Sequence, residues 1–132
     1  LKLDKKEKYI KFFKKINKIK NKIFNFIKKA KKINKSIHCY GASTKGNVLL
    51  QYFKLNNKII DYAAERNPKK YNLYTPGTRI KIISESQSRK MSPDYYLVLP
   101  WHFKKEILKR EQKTIKNGSE FIFPLPEFTI SR

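Results

Sequence analysis

The chain has 132 residues, 39% of them hydrophobic and 14% aromatic, enough for one core and one domain. Its formal net charge of +22 invites a nucleic-acid reading, yet 27 of the 32 basic residues are Lys and only 5 are Arg, the residue whose planar fork suits bases and phosphates. Lys is high together with Asn (10) and Ile (16), all with A/T-rich codons, so a biased genome produces this charge without selection for binding. One Cys, Cys39, excludes an intramolecular disulfide and a Cys-rich zinc site, and its apolar neighbours mark it as a buried, inert thiol. No stretch reaches the roughly 18 apolar residues of a membrane-crossing helix. The N-terminus lacks a signal-peptide core, so a cytoplasmic protein is expected. It begins with Leu1, as a fragment of a longer polypeptide would.

Residues 1–35 hold 15 Lys against Asp4 and Glu7, a net charge of +13, with no Gly and no Pro. Ile10, Phe13, Ile16, Ile19, Ile23, Phe26, Ile27, Ala30 and Ile33 recur three or four apart. This spacing predicts one amphipathic helix, or two with a break near Asn21 or Asn25. Such a helix can lie on nucleic acid or a membrane surface, but a connector packed on its own domain or a partner domain, with Lys on the solvated face, is the plainer expectation.

From residue 36 the pattern alternates. Ile37–Tyr40 reads as a buried strand, 46–55 as a helix, and 58–64 as a second strand ending at Glu65. A turn-rich loop, 67–78, precedes a short strand at 79–84 and a helix at 86–91 capped by Ser84 or Ser86. Asp94 to Leu99 is a near-continuous apolar strand stopped by Pro100; 103–117 is a charged amphipathic helix ending at Gly118; Glu120–Phe123 is a last strand. Strands and helices in alternation predict a three-layer αβα, Rossmann-like fold with a mostly parallel sheet, preceded by the long N-terminal helix. The expected division is a connector over 1–35 and the αβα domain over 36–132.

Ligands of such sheets bind beyond the carboxyl ends of the strands, near the switch in strand order. Three tips fall there. The first is Gly41-Ala42-Ser43-Thr44-Lys45-Gly46-Asn47. It is neither Gly-x-Gly-x-x-Gly nor a P-loop, since Lys45 precedes the second Gly. Two hydroxyls and a Lys at a helix start suit a phosphate; an ordinary turn capped by Ser43 or Thr44 is the alternative. The missing glycine motif counts against a nicotinamide enzyme. The second tip is Glu65-Arg66-Asn67, where dinucleotide folds place the carboxylate for a ribose diol, or where Glu65 simply pairs with Arg66. The third is Pro100-Trp101-His102-Phe103. His102, with an ordinary pKa of about 6.5, is the weak catalytic candidate, as hydrogen-bond donor or general base, against a structural role at a helix start. His38, inside a strand, reads as structural.

Tyr40 to Asn47, Ala64-Glu65-Arg66-Asn67-Pro68, Tyr74-Thr75-Pro76-Gly77-Thr78, Leu99 to Phe103 and Gly118 to Pro126 occur in one order. Over roughly residues 36–127 the sequence thereby resembles the C-terminal domain of bacterial S-adenosylmethionine-dependent C-methyltransferases acting on nucleotide-linked deoxysugars. The resemblance implies a tripartite enzyme in which zinc and S-adenosylmethionine belong to domains outside these 132 residues, so that this chain holds no cofactor or metal and is inactive alone. It implies a substrate-binding role for Gly41, Ser43, Thr44, Lys45, Gly46, Asn47, Glu65, Arg66, Asn67, Trp101 and His102, with a base or sugar face stacked on Trp101 or Tyr74. The implied partners are a nucleotide sugar and the upstream domain of the same polypeptide, with a homo-oligomer through the N-terminal helix as a further expectation and no membrane. A basic nucleic-acid-binding or docking module without catalytic activity is the alternative.

Overall fold

The computed structural model describes residues 2–131. Helix α1 runs Lys2–Lys32 without a break; Asn21 and Asn25 lie exposed on its polar side and interrupt nothing. It ends in a Schellman turn. Asn34 takes a positive φ of 58°, its amide donates to Lys31 O (3.1 Å), and Lys35 N donates to Ala30 O (3.0 Å).

Five parallel strands follow: β1 (Ile37–Tyr40), β2 (Tyr62–Glu65), β3 (Ile82–Ser84), β4 (Tyr95–Val98) and β5 (Glu120–Phe123). β6 (Thr129–Ser131) adds an antiparallel edge on β5, an element not anticipated from the sequence. The order is β3-β2-β1-β4-β5-β6. Successive strands are added toward one edge up to β3 and toward the other from β4, so the boundary between β1 and β4 is the switch point of a doubly wound sheet.

The helices are α2 (Thr44–Tyr52), α3 (Glu85–Met91), α4 (Lys104–Arg110) and α5 (Gln112–Lys116). Ser43 caps α2 by accepting from Gly46 N, and Ser84 caps α3 by accepting from Gln87 N. Expected strand 58–64 shortens to β2 because Ile59 N and Ile60 N turn back to Asn56 O. The strand expected from residue 79 starts at Ile82, since Arg79 sits in the left-handed region (φ 56°) and donates its amide to Thr75 O. The helix expected over 103–117 is a 3-10 turn, Trp101–Phe103, then α4 and α5, parted at Glu111.

Alternate residues of each strand feed opposite faces. Ile37, Cys39, Ala63, Leu97 and Ile122 pack with Leu50 of α2 and with Ile19, Ile23, Ile27 and Ala30 of α1. Tyr40, Ala64, Tyr96, Val98, Phe121 and Phe123 pack with Ile107 of α4. The layers are therefore helix, sheet, helix. Cys39 is fully buried, and burial pushes its thiol pKa up, which keeps it protonated and unreactive. The last half of α1 belongs to the core, while residues 5–15 are all exposed. No helix among the described residues is long and apolar enough to cross a membrane.

Candidate functional site

A cavity of about 420 Å3 opens at the carboxyl ends of β1, β2 and β4. Its floor is built where β1 stops. Gly41 adopts φ 95°, its amide donates to Ala64 O (2.8 Å), and a Cβ there would lie 3.1 Å from Pro100 Cδ. A side chain would thus be both strained and crowded against the β4 tip. Beyond Gly41 the chain enters α2, whose first amides have no intrahelical carbonyl to meet.

Of the sequence-derived residues, Gly41, Ser43, Glu65 and Arg66 line this cavity. Ser43 does so while its Oγ accepts from Gly46 N (3.0 Å). Glu65 Oε2 accepts from Arg66 N (2.8 Å), and its Oε1 lies 3.6 Å from Lys70 Nζ, which also donates to Ala42 O (3.3 Å). Lys70 is therefore the ammonium held beside the first loop; Lys45 and Thr44 are exposed on the opening turn of α2, outside the lining. No local spacing signals Lys70, because the β2-to-β3 excursion carries it there.

The others are placed elsewhere. Gly46 is buried, and a Cβ would meet Leu99 Cβ at 2.7 Å, so it brings α2 against the end of β4. Asn47 spends its amide on a neighbouring turn, donating from Nδ2 to Pro76 O (2.8 Å) and accepting at Oδ1 from Thr78 Oγ1 (2.6 Å). Asn67 caps the short Pro68–Lys70 turn. Trp101 is half-buried against the Tyr40–Phe121 core. His102 is exposed, with its ring 5.6 Å from Trp101 and 4.3 Å from Phe103. The exposed aromatic ring at the cavity is instead Phe103, 52% exposed, beside the buried Tyr40, while Tyr74 stands outside the lining.

Behind the cavity lies a charged layer that sequence reasoning missed. Glu111, 2% exposed, accepts from Tyr40 Oη (2.9 Å), Arg89 Nε (2.9 Å), Arg89 Nη2 (2.5 Å) and Thr114 Oγ1 (2.9 Å). Arg110 donates to Tyr40 Oη and to Glu85 Oε2 (2.9 Å). Two Arg and two Glu balance in charge, and the partly exposed guanidinium groups compensate the buried Glu111 carboxylate, which would be costly unpaired. Burial works against charge on Glu111, but the hydrogen bonds from Arg89, Thr114 and Tyr40 prevail and hold its carboxyl below the usual range. Burial pushes the Tyr40 phenol up, against the pull of its Arg110 hydrogen bond. Neither group is poised to take a proton near neutral pH. Together they hold Tyr40, Glu85 and Arg110 rigidly in the cavity wall.

The strand order and a cavity at the switch point define the chain as a Rossmann-like αβα domain. Residues 1–126 match the C-methyltransferase C-terminal domain family, and the chain belongs to that family. It is also 39% identical over 93 residues to C-methyltransferase NovU of Streptomyces niveus, a match covering 70% of this chain and 22% of that protein. The chain thus spans about a fifth of the length of that curated relative. Among the described residues no three His, Cys, Asp or Glu side chains gather as metal ligands.

Proposed function

We propose that this domain holds the nucleotide-linked keto-deoxysugar substrate of an S-adenosylmethionine-dependent C-methyltransferase, with the methyl donor bound by another part of the enzyme. The observation that carries this reading is the switch-point cavity, which joins a glycine turn, the start of α2, a carboxylate and an aromatic ring. The Gly41–Ser43 backbone and the N-terminal end of α2 suit a diphosphate, with Lys70 and exposed Lys45 as nearby cations. Glu65 suits a ribose or sugar diol, and Phe103 offers a face to a base or a sugar ring. His102 supports this last role by packing beside Phe103, and Trp101 by packing beside His102. The methyl donor, when bound, supplies an electrophilic methyl group. Holding the sugar in line with it removes part of the entropic barrier. The base that takes the proton beside the ketone belongs to another part of the polypeptide, in keeping with the protonated Tyr40 and ion-paired Glu111 here. The exposed run Tyr9, Phe12 and Phe13 on α1 is the surface by which the domain meets the rest of the enzyme or a second copy.

The test is a calorimetric titration of the chain with a thymidine-diphosphate sugar at about 0.15 M salt, where exposed charges are largely screened. Saturable binding, weakened about tenfold or more in Glu65→Gln and in Phe103→Ala, is expected. Binding that survives both substitutions, or that disappears in salt, overturns the assignment and favours a merely basic surface.

A further inference from the structure

The opposite end of the sheet carries a second cavity, of about 410 Å3, at the amino ends of β1 and β2. Lys31, Lys35, His38, Asp61, Tyr62 and Met91 contribute to its lining. His38 is 2% exposed. Its Nδ1 lies 2.7 Å from Ser88 Oγ, which lies 2.7 Å from Tyr96 Oη. These three groups determine one another's protons. Either oxygen of the Ser88–Tyr96 pair can donate; the arrangement that gives the Tyr96 hydroxyl an acceptor among the described residues has it donate to Ser88 Oγ. The fully buried Ser88 hydroxyl must then donate to His38 Nδ1. That leaves the imidazole proton on Nε2, which has no partner among the described residues. No side-chain nitrogen or oxygen there is both sealed from solvent and unpaired, so this N–H reaches the cavity. Burial lowers the His38 pKa to about 4, keeping the ring an uncharged donor at neutral pH.

The rim adds two ammonium groups. Lys31 Nζ is 3.4 Å from Asp61 Oδ2, and Lys35 Nζ is 3.8 Å from Asp94 Oδ1; both pairs are long and partly exposed, hence weak. The carboxylates are tied down, Asp61 by Ile37 N (3.0 Å) and Asp94 by Ser36 N (2.8 Å). The carboxylates keep these amide partners when the weakly held lysines turn toward another anion. The carbonyl end of α1 is closed by its own Schellman bonds and offers no competing acceptors from Ala30 or Lys31. We propose that this cavity is a second binding site, separate from the switch-point cavity, for a small oxyanion: the phosphate or carboxylate group of a metabolite-sized ligand. The His38 Nε2–H donates from the floor, and Lys31 and Lys35 close over the charge.

The chain has two histidines, so imidazole resonances report the site directly. Sodium phosphate and sodium acetate are titrated separately at constant ionic strength with chloride as the balancing ion, while the His38 and His102 side-chain signals are followed by nuclear magnetic resonance. A saturable shift of His38, absent from His102, is expected with at least one of the two anions. Phosphate alone marks a phosphoryl ligand, and both together mark a general oxyanion site. In a Lys31→Ala, Lys35→Ala variant the half-saturation concentration rises about tenfold, while an unmoved His102 signal and a cooperative thermal transition show that the fold is intact. Glu65→Gln, in the other cavity, leaves the His38 titration unchanged. No saturable His38 shift with either anion, or an equal one in the double-lysine variant, overturns the proposal.

Discussion

Gly46 and Glu111 are each held by contacts that reach far along the chain. A Cβ on Gly46 would sit 2.7 Å from Leu99 Cβ and 2.8 Å from Leu99 Cδ1, so Gly46→Ala forces α2 away from β4. The expected cost is about 1–3 kcal/mol, as for other overpacked sites, read as a lower denaturant midpoint. Arg89→Met strands the buried Glu111 carboxylate. The expected loss is about 3 kcal/mol, the low end for a broken buried pair, because Arg110 Nε stays 3.5 Å from the same carboxylate. His38 makes stability depend on pH. Its folded pKa, about 4, lies below the ordinary 6.5, so between these values the unfolded chain binds a proton that the folded one does not. The stability present above pH 6.5 is lost as pH falls toward 4, by roughly 3 kcal/mol for this group. Denaturant midpoints across that window should fall less steeply for His38→Gln than for the parent chain.

At the scale of the element, α1 is one apolar stripe with two fates. Ile23 is 1% exposed in the core, whereas Phe12, toward the start of the same helix, is 59% exposed. Ile23→Ala should cost about 2–5 kcal/mol, and Phe12→Ala should leave thermal stability of the isolated chain within about 0.5 kcal/mol. Equal losses at both positions would mean that the free half of α1 is covered in solution. The period of this helix was legible in the sequence, because every third or fourth residue is apolar along its whole length. Where the covered half begins was not, since periodicity is the same on both sides of Ile19. The strands show the same division. β1 and β5 have the bounds expected of them, since short apolar runs are cut by Gly41 and Pro124. β6 was missed because three half-buried residues carry no pattern, and their pairing with β5 is purely a tertiary contact.

Across the whole molecule, the net charge of +22 is spread over a core that is neutral and well paired. Like-charge repulsion opposes the compact state, and salt screens it. The melting temperature should therefore rise between about 0.02 and 0.5 M sodium chloride, as followed by circular dichroism. A flat response would mean that local Lys pairs, not the overall field, govern the electrostatics. The two cavities lie at opposite ends of one sheet, so Glu65→Gln and Lys31→Ala should act independently on stability, within about 0.5 kcal/mol of additivity.

All three tips read from the sequence reach the switch-point cavity, through Gly41 and Ser43, Glu65 and Arg66, and Pro100 and Phe103, since each ends a strand and strand-helix alternation makes those strands parallel. Strand ends are local events, set by glycine, proline and apolar run length, and these are written along the chain. Which side chains then meet is not local. Lys70 reaches the first loop through the β2-to-β3 excursion, Glu111 gathers Tyr40 and Arg89 from 71 and 22 residues away, and His38 meets Ser88, which meets Tyr96. The alternating αβα order and the family resemblance were therefore determined by the sequence itself. The cavity walls, the ion layer around Glu111 and the His38–Ser88–Tyr96 chain were decided only by tertiary structure, because hydrogen bonding and desolvation act between residues that the fold alone brings together.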